Sequence, residues 1–181
     1  MIEIRIHGRG GQGAVTTGQI LAIATFKDGK YSMTFPMFGV ERAGAPVQAF
    51  VRIDDKPINL RTEVYNPDVI LVFEASLIKT VDVTKGLKEN GLIIINTDKK
   101  PEELDIKGNY QIHTINATNI AMEIFNKPIV NTAVLGAFAK IHKSVSLESL
   151  KEAIRDKFES KGEKIIELNN KAIEKVYELT K

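Results

Sequence analysis

The 181-residue sequence contains no cysteine. It therefore offers no thiolate to an iron–sulfur cluster, forms no disulfide and carries out no thiol chemistry. Histidine is scarce as well: His7, His113 and His142 stand far apart, with none of the short spacings of a metal site. His142, near the end of an apolar helical stretch, suits a capping or surface role. Any redox metal connected with this protein is then expected in another chain. Long apolar runs are missing too. The longest, Val69–Phe73 and Leu92–Ile95, fall far short of a bilayer span. The amino terminus lacks the apolar region of a signal peptide, so a cytoplasmic location is expected. Nor is there a surplus of charge. The 25 basic and 23 acidic residues nearly cancel, which removes the electrostatic case for binding nucleic acid or a membrane surface.

What is present suffices for a core: 43% of residues are hydrophobic, and no linker, repeat or low-complexity tract divides the chain. One domain over residues 1–181 is expected. Ile2, Ile4 and Ile6 alternate with Glu3, Arg5 and His7, which predicts a strand over 2–7. Ala14 to Phe26 reads as a partly buried helix. Lys30–Phe35 is a second short strand ended by Pro36, Val47–Ile53 a third and Ile58–Arg61 a short fourth. Val69–Phe73 and Leu92–Ile95 are apolar on both faces, as strands in the middle of a covered sheet are. A helical stretch ending near Lys88 lies between them. Gln111–Ile115 predicts a further strand, followed by helices over Ala117–Phe125, Thr132–Lys143, Ser146–Glu159 and Glu163–Leu179. The last two carry amphipathic stripes, and Ser146 suits an N-cap. These elements add up to an α/β fold: a three-layer α/β/α, Rossmann-like domain with a mostly parallel sheet and a helical C-terminal extension over about 146–181.

Two constellations carry chemistry. Gly8-Arg9-Gly10-Gly11-Gln12-Gly13 joins the first strand to the first helix, and Gly8, Gly10 and Gly13 have the G-x-G-x-x-G spacing of a dinucleotide loop. Such a loop turns tightly and aims helix N-terminal N–H groups at an anion. However, the acid that would bind a ribose at the end of the second strand is missing, because that end reads Thr34-Phe35-Pro36. Asp28 comes too early and Glu41 falls in the next loop. Arg9 adds a fixed cation that favours a terminal phosphate or carboxylate. A dinucleotide, another anion and a ligand-free turn all remain open. The second constellation runs from Phe35 to Pro46, a loop dense in glycine, proline and aromatics. Within it, Arg42 can take a phosphate, a carboxylate or a partner side chain bidentately, or pin the loop through an intrachain salt bridge. Phe35, Met37 and Phe38 are expected to contact a partner chain, with Phe38 as the anchor.

Taken together, four segments resemble the gamma subunit, or gamma domain, of pyruvate and related 2-oxoacid:ferredoxin oxidoreductases. They are His7 to Gly13 (H-G-R-G-G-Q-G), Phe35 to Pro46 (F-P-x-x-G-x-E-R-x-G-x-P), Asn66-Pro67-Asp68 before a buried strand, and Asn131 to Ala137 (N-T-x-x-L-G-A). Ala43 departs from many members but keeps a small side chain. The resemblance implies a non-catalytic part of a complex that oxidatively decarboxylates a 2-oxoacid, forms an acyl-coenzyme A and passes electrons to ferredoxin. Thiamine diphosphate and iron–sulfur clusters are implied in partner chains: alpha and beta for the first, delta and beta for the second. This chain has neither cysteine nor a thiamine-type G-D-G segment. The gamma chain is implied to pack against alpha and assemble the complex. Coenzyme A is the ligand implied for the glycine loop, with Gly8, Arg9, Gly10, Gly11, Gln12, Gly13 and Arg42 as candidates. A loop that bonds only to a partner is the other reading. Pyruvate is the expected substrate, from the form of the Phe35–Pro46 segment. The alternatives are 2-oxoglutarate, a branched-chain or an aryl 2-oxoacid, and, outside the family, a free-standing dinucleotide-binding protein.

Overall fold

A computed structural model describes residues 1–36 and 43–181. The elements in chain order are β1 (Ile2–Arg9), α1 (Ala14–Lys27), β2 (Tyr31–Pro36), β3 (Pro46–Asp54), β4 (Val69–Val72), α2 (Leu77–Thr80) and β5 (Leu92–Asn96). They are followed by β6 (Gln111–Ile115), α3 (Ala117–Phe125), α4 (Ala133–His142), α5 (Leu147–Phe158) and α6 (Glu163–Leu179). Six strands form one sheet in the order β2-β3-β1-β4-β5-β6. β1, β4, β5 and β6 pair in parallel, while β3 runs antiparallel to β1 and to β2. The reversal follows from connection length. Residues 37–45 are too few for a parallel crossover, so β3 returns beside β2.

The two faces of the sheet are covered differently. Ile4 and Ile6 of β1, Val51 of β3, Leu71 of β4 and Ile94 of β5 point into one core, shared with α1, α3, α4, α5 and α6. The C-terminal helices are present as expected. They lie within this layer: Ile154 of α5 and Ile173 and Val176 of α6 are fully buried in the same core. Gly136 sets the spacing of α4 and α6, because a Cβ there would stand 2.3 Å from the carbonyl oxygen of Ile173. Ser146 caps α5, its Oγ accepting from Ser149 N (3.1 Å). Asp28, at the end of α1, holds that cap by accepting from Ser146 N (2.6 Å), Ser146 Oγ (2.8 Å) and Ser149 Oγ (2.6 Å). Those bonds hold its carboxyl below the ordinary range against the opposing effect of burial, the largest single influence.

The other face carries a smaller apolar cluster of Ile70, Val72, Ile93 and Ile95 under Leu77, Val83 and Leu87. Its cover is thin, consisting of the single turn α2 and irregular chain. The helical stretch expected up to Lys88 stops at Thr80, where Val81 turns extended (φ −139°, ψ 148°). Asp82 then accepts from Thr84 N (3.1 Å) and Oγ1 (2.8 Å), a side-chain turn that competes with helix. No strand forms at Ile58–Arg61 either. A guanidinium takes the place of a ladder: Arg52 Nη1 donates to the carbonyls of Leu60 (3.2 Å) and Thr62 (2.6 Å), and Nη2 to that of Glu63 (3.0 Å). Its Nε donates to Glu3 Oε1 at 2.8 Å. Arg5 does the same one strand over, donating through Nη2 to the carbonyls of Val83 (3.1 Å) and Lys85.

Candidate functional site at the glycine loop

β1 ends at Arg9 beside Pro46 of β3, and its parallel neighbour β4 ends just before Phe73 and Glu74. The chain leaves β1 toward β2 on one side and later enters β4 on the other. The glycine loop therefore sits where the strand order reverses, which is the ligand position in open α/β sheets. Gly8 is still in the ladder, opposite Val47. Gly10 and Gly44 exchange backbone bonds with their neighbours across the loops: Gly10 N donates to Ala45 O (2.8 Å) and Gly44 N to Gly10 O (3.1 Å). The two sequence constellations thus meet at the described residues 43–46. Gln12 closes the turn on itself, its N donating to Arg9 O (2.9 Å) and its Oε1 accepting from Arg9 N (2.7 Å).

Gly13 is the N-cap of α1 in the left-handed conformation (φ 83°, ψ 28°), and a Cβ there would lie 2.5 Å from Asn131 Nδ2. Only glycine meets both conditions. The opening of the Asn131–Ala137 segment accordingly packs against the loop, and Thr17 Oγ1 donates to Asn131 O (2.7 Å). Because Gly13 has no side chain, α1 has no side-chain cap. The N–H groups of Ala14, Val15 and Thr16 precede the first helical bond, from Thr17 N to Gly13 O (3.0 Å). They give the loop the positive end of a helix dipole.

The cation beside it is engaged. Arg9 Nε donates to Glu74 Oε2 (3.2 Å), Nη1 to Gly44 O (3.1 Å) and Nη2 to Ser76 Oγ (2.8 Å). Gln12 Nε2 donates to the same Glu74 oxygen (3.0 Å), and Ser76 Oγ donates to the other. The Ser76 bond first, then Gln12 and Arg9, hold the Glu74 carboxyl below its ordinary range against partial burial. Glu74 and Ser76 also open a cleft of about 530 Å³ along the carboxyl ends of β4 and β5, which Lys79, Asn96, Thr97 and Thr118 line as well. The sequence reading did not single out Glu74 or Ser76. The available signal was their position directly after a buried strand, at its carboxyl end. Met37, Phe38, Glu41 and Arg42 lie outside the described residues.

One other segment, and the first residue of the glycine-loop segment, fall elsewhere. Asn66-Pro67-Asp68 lies at the opposite end of the sheet, where Asp68 accepts from Glu3 N (2.8 Å) and Lys88 Nζ (2.7 Å). His7 faces the thinly covered side, where its Nε2 accepts from Arg5 Nε (3.1 Å). Burial, and then the Arg5 charge, push its pKa down to about 3 despite Asp82. His7 is therefore neutral at physiological pH and takes no part in the loop's electrostatics. Among the described residues no group of three or more histidine, aspartate or glutamate side chains could hold a metal ion, and no helix is long and apolar enough to cross a membrane.

These features define a Rossmann-like α/β domain whose switch-point loop holds an internal carboxylate and has no ribose-binding acid among the described residues. The chain belongs to the pyruvate ferredoxin/flavodoxin oxidoreductase family, whose model matches residues 3–179. It is 55% identical to the pyruvate/ketoisovalerate oxidoreductases common subunit gamma of Thermococcus kodakarensis, over 99% of this chain and all of that one. It is likewise 55% identical to the pyruvate synthase subunit PorC of Methanocaldococcus jannaschii, over 98% of this chain and 96% of the relative. Among solved structures, pyruvate oxidoreductase subunit PORC of Thermotoga maritima superposes with a TM-score of 0.84 at 36% identity, covering 98% of this chain and 95% of that one. The family resemblance drawn from the four sequence segments is borne out.

Proposed function

We propose that this chain is the gamma subunit of a pyruvate:ferredoxin oxidoreductase, assembling with alpha, beta and delta chains and inactive alone. The observation that carries the reading is the end-to-end match to gamma and PorC subunits by a chain that has no cysteine to carry electrons. Thiamine diphosphate and the iron–sulfur clusters belong, on this reading, to the partner chains. The glycine loop contributes the coenzyme A side. Its uncapped α1 terminus and Arg9 suit the phosphate-bearing end of coenzyme A, which supplies the thiol that accepts the acyl group. A dinucleotide fits less well, because β2 ends in Thr34-Phe35-Pro36 without an acid.

The test is purification of the complex through a tag on this chain, followed by turnover on a panel of 2-oxoacids with coenzyme A and ferredoxin. Co-purification of three further chains with pyruvate as the best substrate is the expected result. Recovery of this chain alone, or of a complex idle on every 2-oxoacid, overturns it. One specific observation favours a broader role: the Thermococcus relative is named as a subunit common to pyruvate and ketoisovalerate oxidoreductases. If this chain is shared in the same way, the tag recovers two sets of partners, one of which turns over branched-chain 2-oxoacids.

A further inference from the structure

The donors of the glycine loop already converge on an anion. Glu74 Oε2 receives both Arg9 Nε (3.2 Å) and Gln12 Nε2 (3.0 Å), while Ser76 Oγ bridges Arg9 Nη2 and Glu74 Oε1. The pair is partly open to solvent, with 25% of the Arg9 and 40% of the Glu74 side chain exposed. A carboxylate at the end of β4 thus stands in the role that an incoming phosphate would fill. We infer that Glu74 is a positioning residue that holds Arg9 in a ready conformation and competes with the anionic ligand, which binds by exchanging Arg9 from Glu74 to itself. The inference rests on the coenzyme A reading of the loop.

The exchange makes physical sense. Arginine has one guanidinium to share, and a carboxylate left beside a bound phosphate would be repelled by it. An exposed ion pair of this kind is weak enough to give way. Holding Arg9 in the meantime removes rotamer freedom that the ligand would otherwise have to quench. Because the loop's own turn is made by Gln12 and by the Gly10–Ala45 and Gly44–Gly10 backbone bonds, losing the Glu74 charge leaves the fold of the loop intact.

The experiment uses the purified complex carrying Glu74→Gln or Arg9→Ala. Coenzyme A and, separately, inorganic pyrophosphate are titrated by calorimetry, and steady-state turnover is measured as coenzyme A is varied. Glutamine keeps an oxygen to accept from Arg9 and Gln12 but removes the charge. The expected result for Glu74→Gln is roughly two- to five-fold tighter binding of both probes, with a lower KM for coenzyme A and an unchanged kcat. Arg9→Ala is expected to weaken both probes by about ten-fold or more. Unchanged or weaker binding in Glu74→Gln, with Arg9→Ala still weakened, overturns the competitor role and leaves the loop as the ligand site. Unchanged binding in both variants overturns the loop reading itself.

Discussion

At the scale of single residues, the polar side chains of β1 and β3 have jobs that their alternation with isoleucine does not reveal. Arg5, His7 and Arg52 are nearly solvent-free, at 5%, 2% and 2% exposure, on the face that strand periodicity alone would give to water. Two guanidiniums gather the carbonyls of the irregular segments above them, so the backbone there needs neither helix nor strand to be satisfied. His7 fits this network only as the neutral ring that accepts from Arg5. Its folded pKa of about 3 lies below the unfolded value of 6.5, so between those values the unfolded chain binds a proton that the folded chain refuses. Stability contributed by the neutral ring is complete above about pH 6.5 and is lost as the pH falls toward 3. His7→Gln keeps an acceptor for Arg5 and removes the titration. Urea unfolding of the isolated chain is expected to show a shallower loss of stability on acidification for this variant, by up to about 1.4 kcal/mol per pH unit. Parallel curves for the two proteins would mean that His7 titrates in the folded chain.

At the scale of elements, the helical layer depends on close approach at Gly136. α6 crosses α4 so tightly that Ile173 O would lie 2.3 Å from a Cβ at that site, and Tyr177 N would lie 3.0 Å away. Both are backbone atoms, which cannot rotate aside as a side chain can. Gly136→Ala is therefore expected to cost about 1–3 kcal/mol by overpacking, against the usual gain of alanine over glycine within a helix. Chemical denaturation of the variant checks it, and a stabilised variant would show that α6 can shift at little cost. The same contact explains why a glycine stands at position 136 of the Asn131–Ala137 segment. At the segment's other end Thr132 Oγ1 donates to Asn169 Oδ1 (2.6 Å), a second tie between α4 and α6.

At the scale of the whole molecule, the chain is a sheet with a thick helical side and a thin irregular side, and its loop chemistry is gathered at one end. Glycine loop, Glu74, Ser76 and Asn131 converge there, while Asp28, Asp68 and Ser146 serve only as joints elsewhere. With no thiolate to offer, the chain purified alone is expected to be colourless, free of iron and idle with pyruvate, coenzyme A and ferredoxin together. Stoichiometric iron with cluster absorbance in that preparation would contradict the expectation.

The sequence by itself determined the element types and most of their order. Doubly apolar runs at Val69–Phe73 and Leu92–Ile95, short and set off by turn residues, became central strands, and the stripes of residues 146–179 became amphipathic helices. It also exposed the glycine loop and the family, because a strand–glycine–helix junction and four ordered segments are local patterns. The rest depended on groups far apart in the chain. No local pattern announces that Arg52 will replace a strand at Ile58–Arg61, or that Val81 will end a helix whose downstream carbonyls go to Arg5. Arg9 read as a fixed cation facing a ligand or a partner, because its partner within the chain stands 65 residues away. Only the parallel pairing of β1 with β4 brings Glu74 beside it, and a charge is worth what its nearest neighbours in space, rather than in sequence, allow.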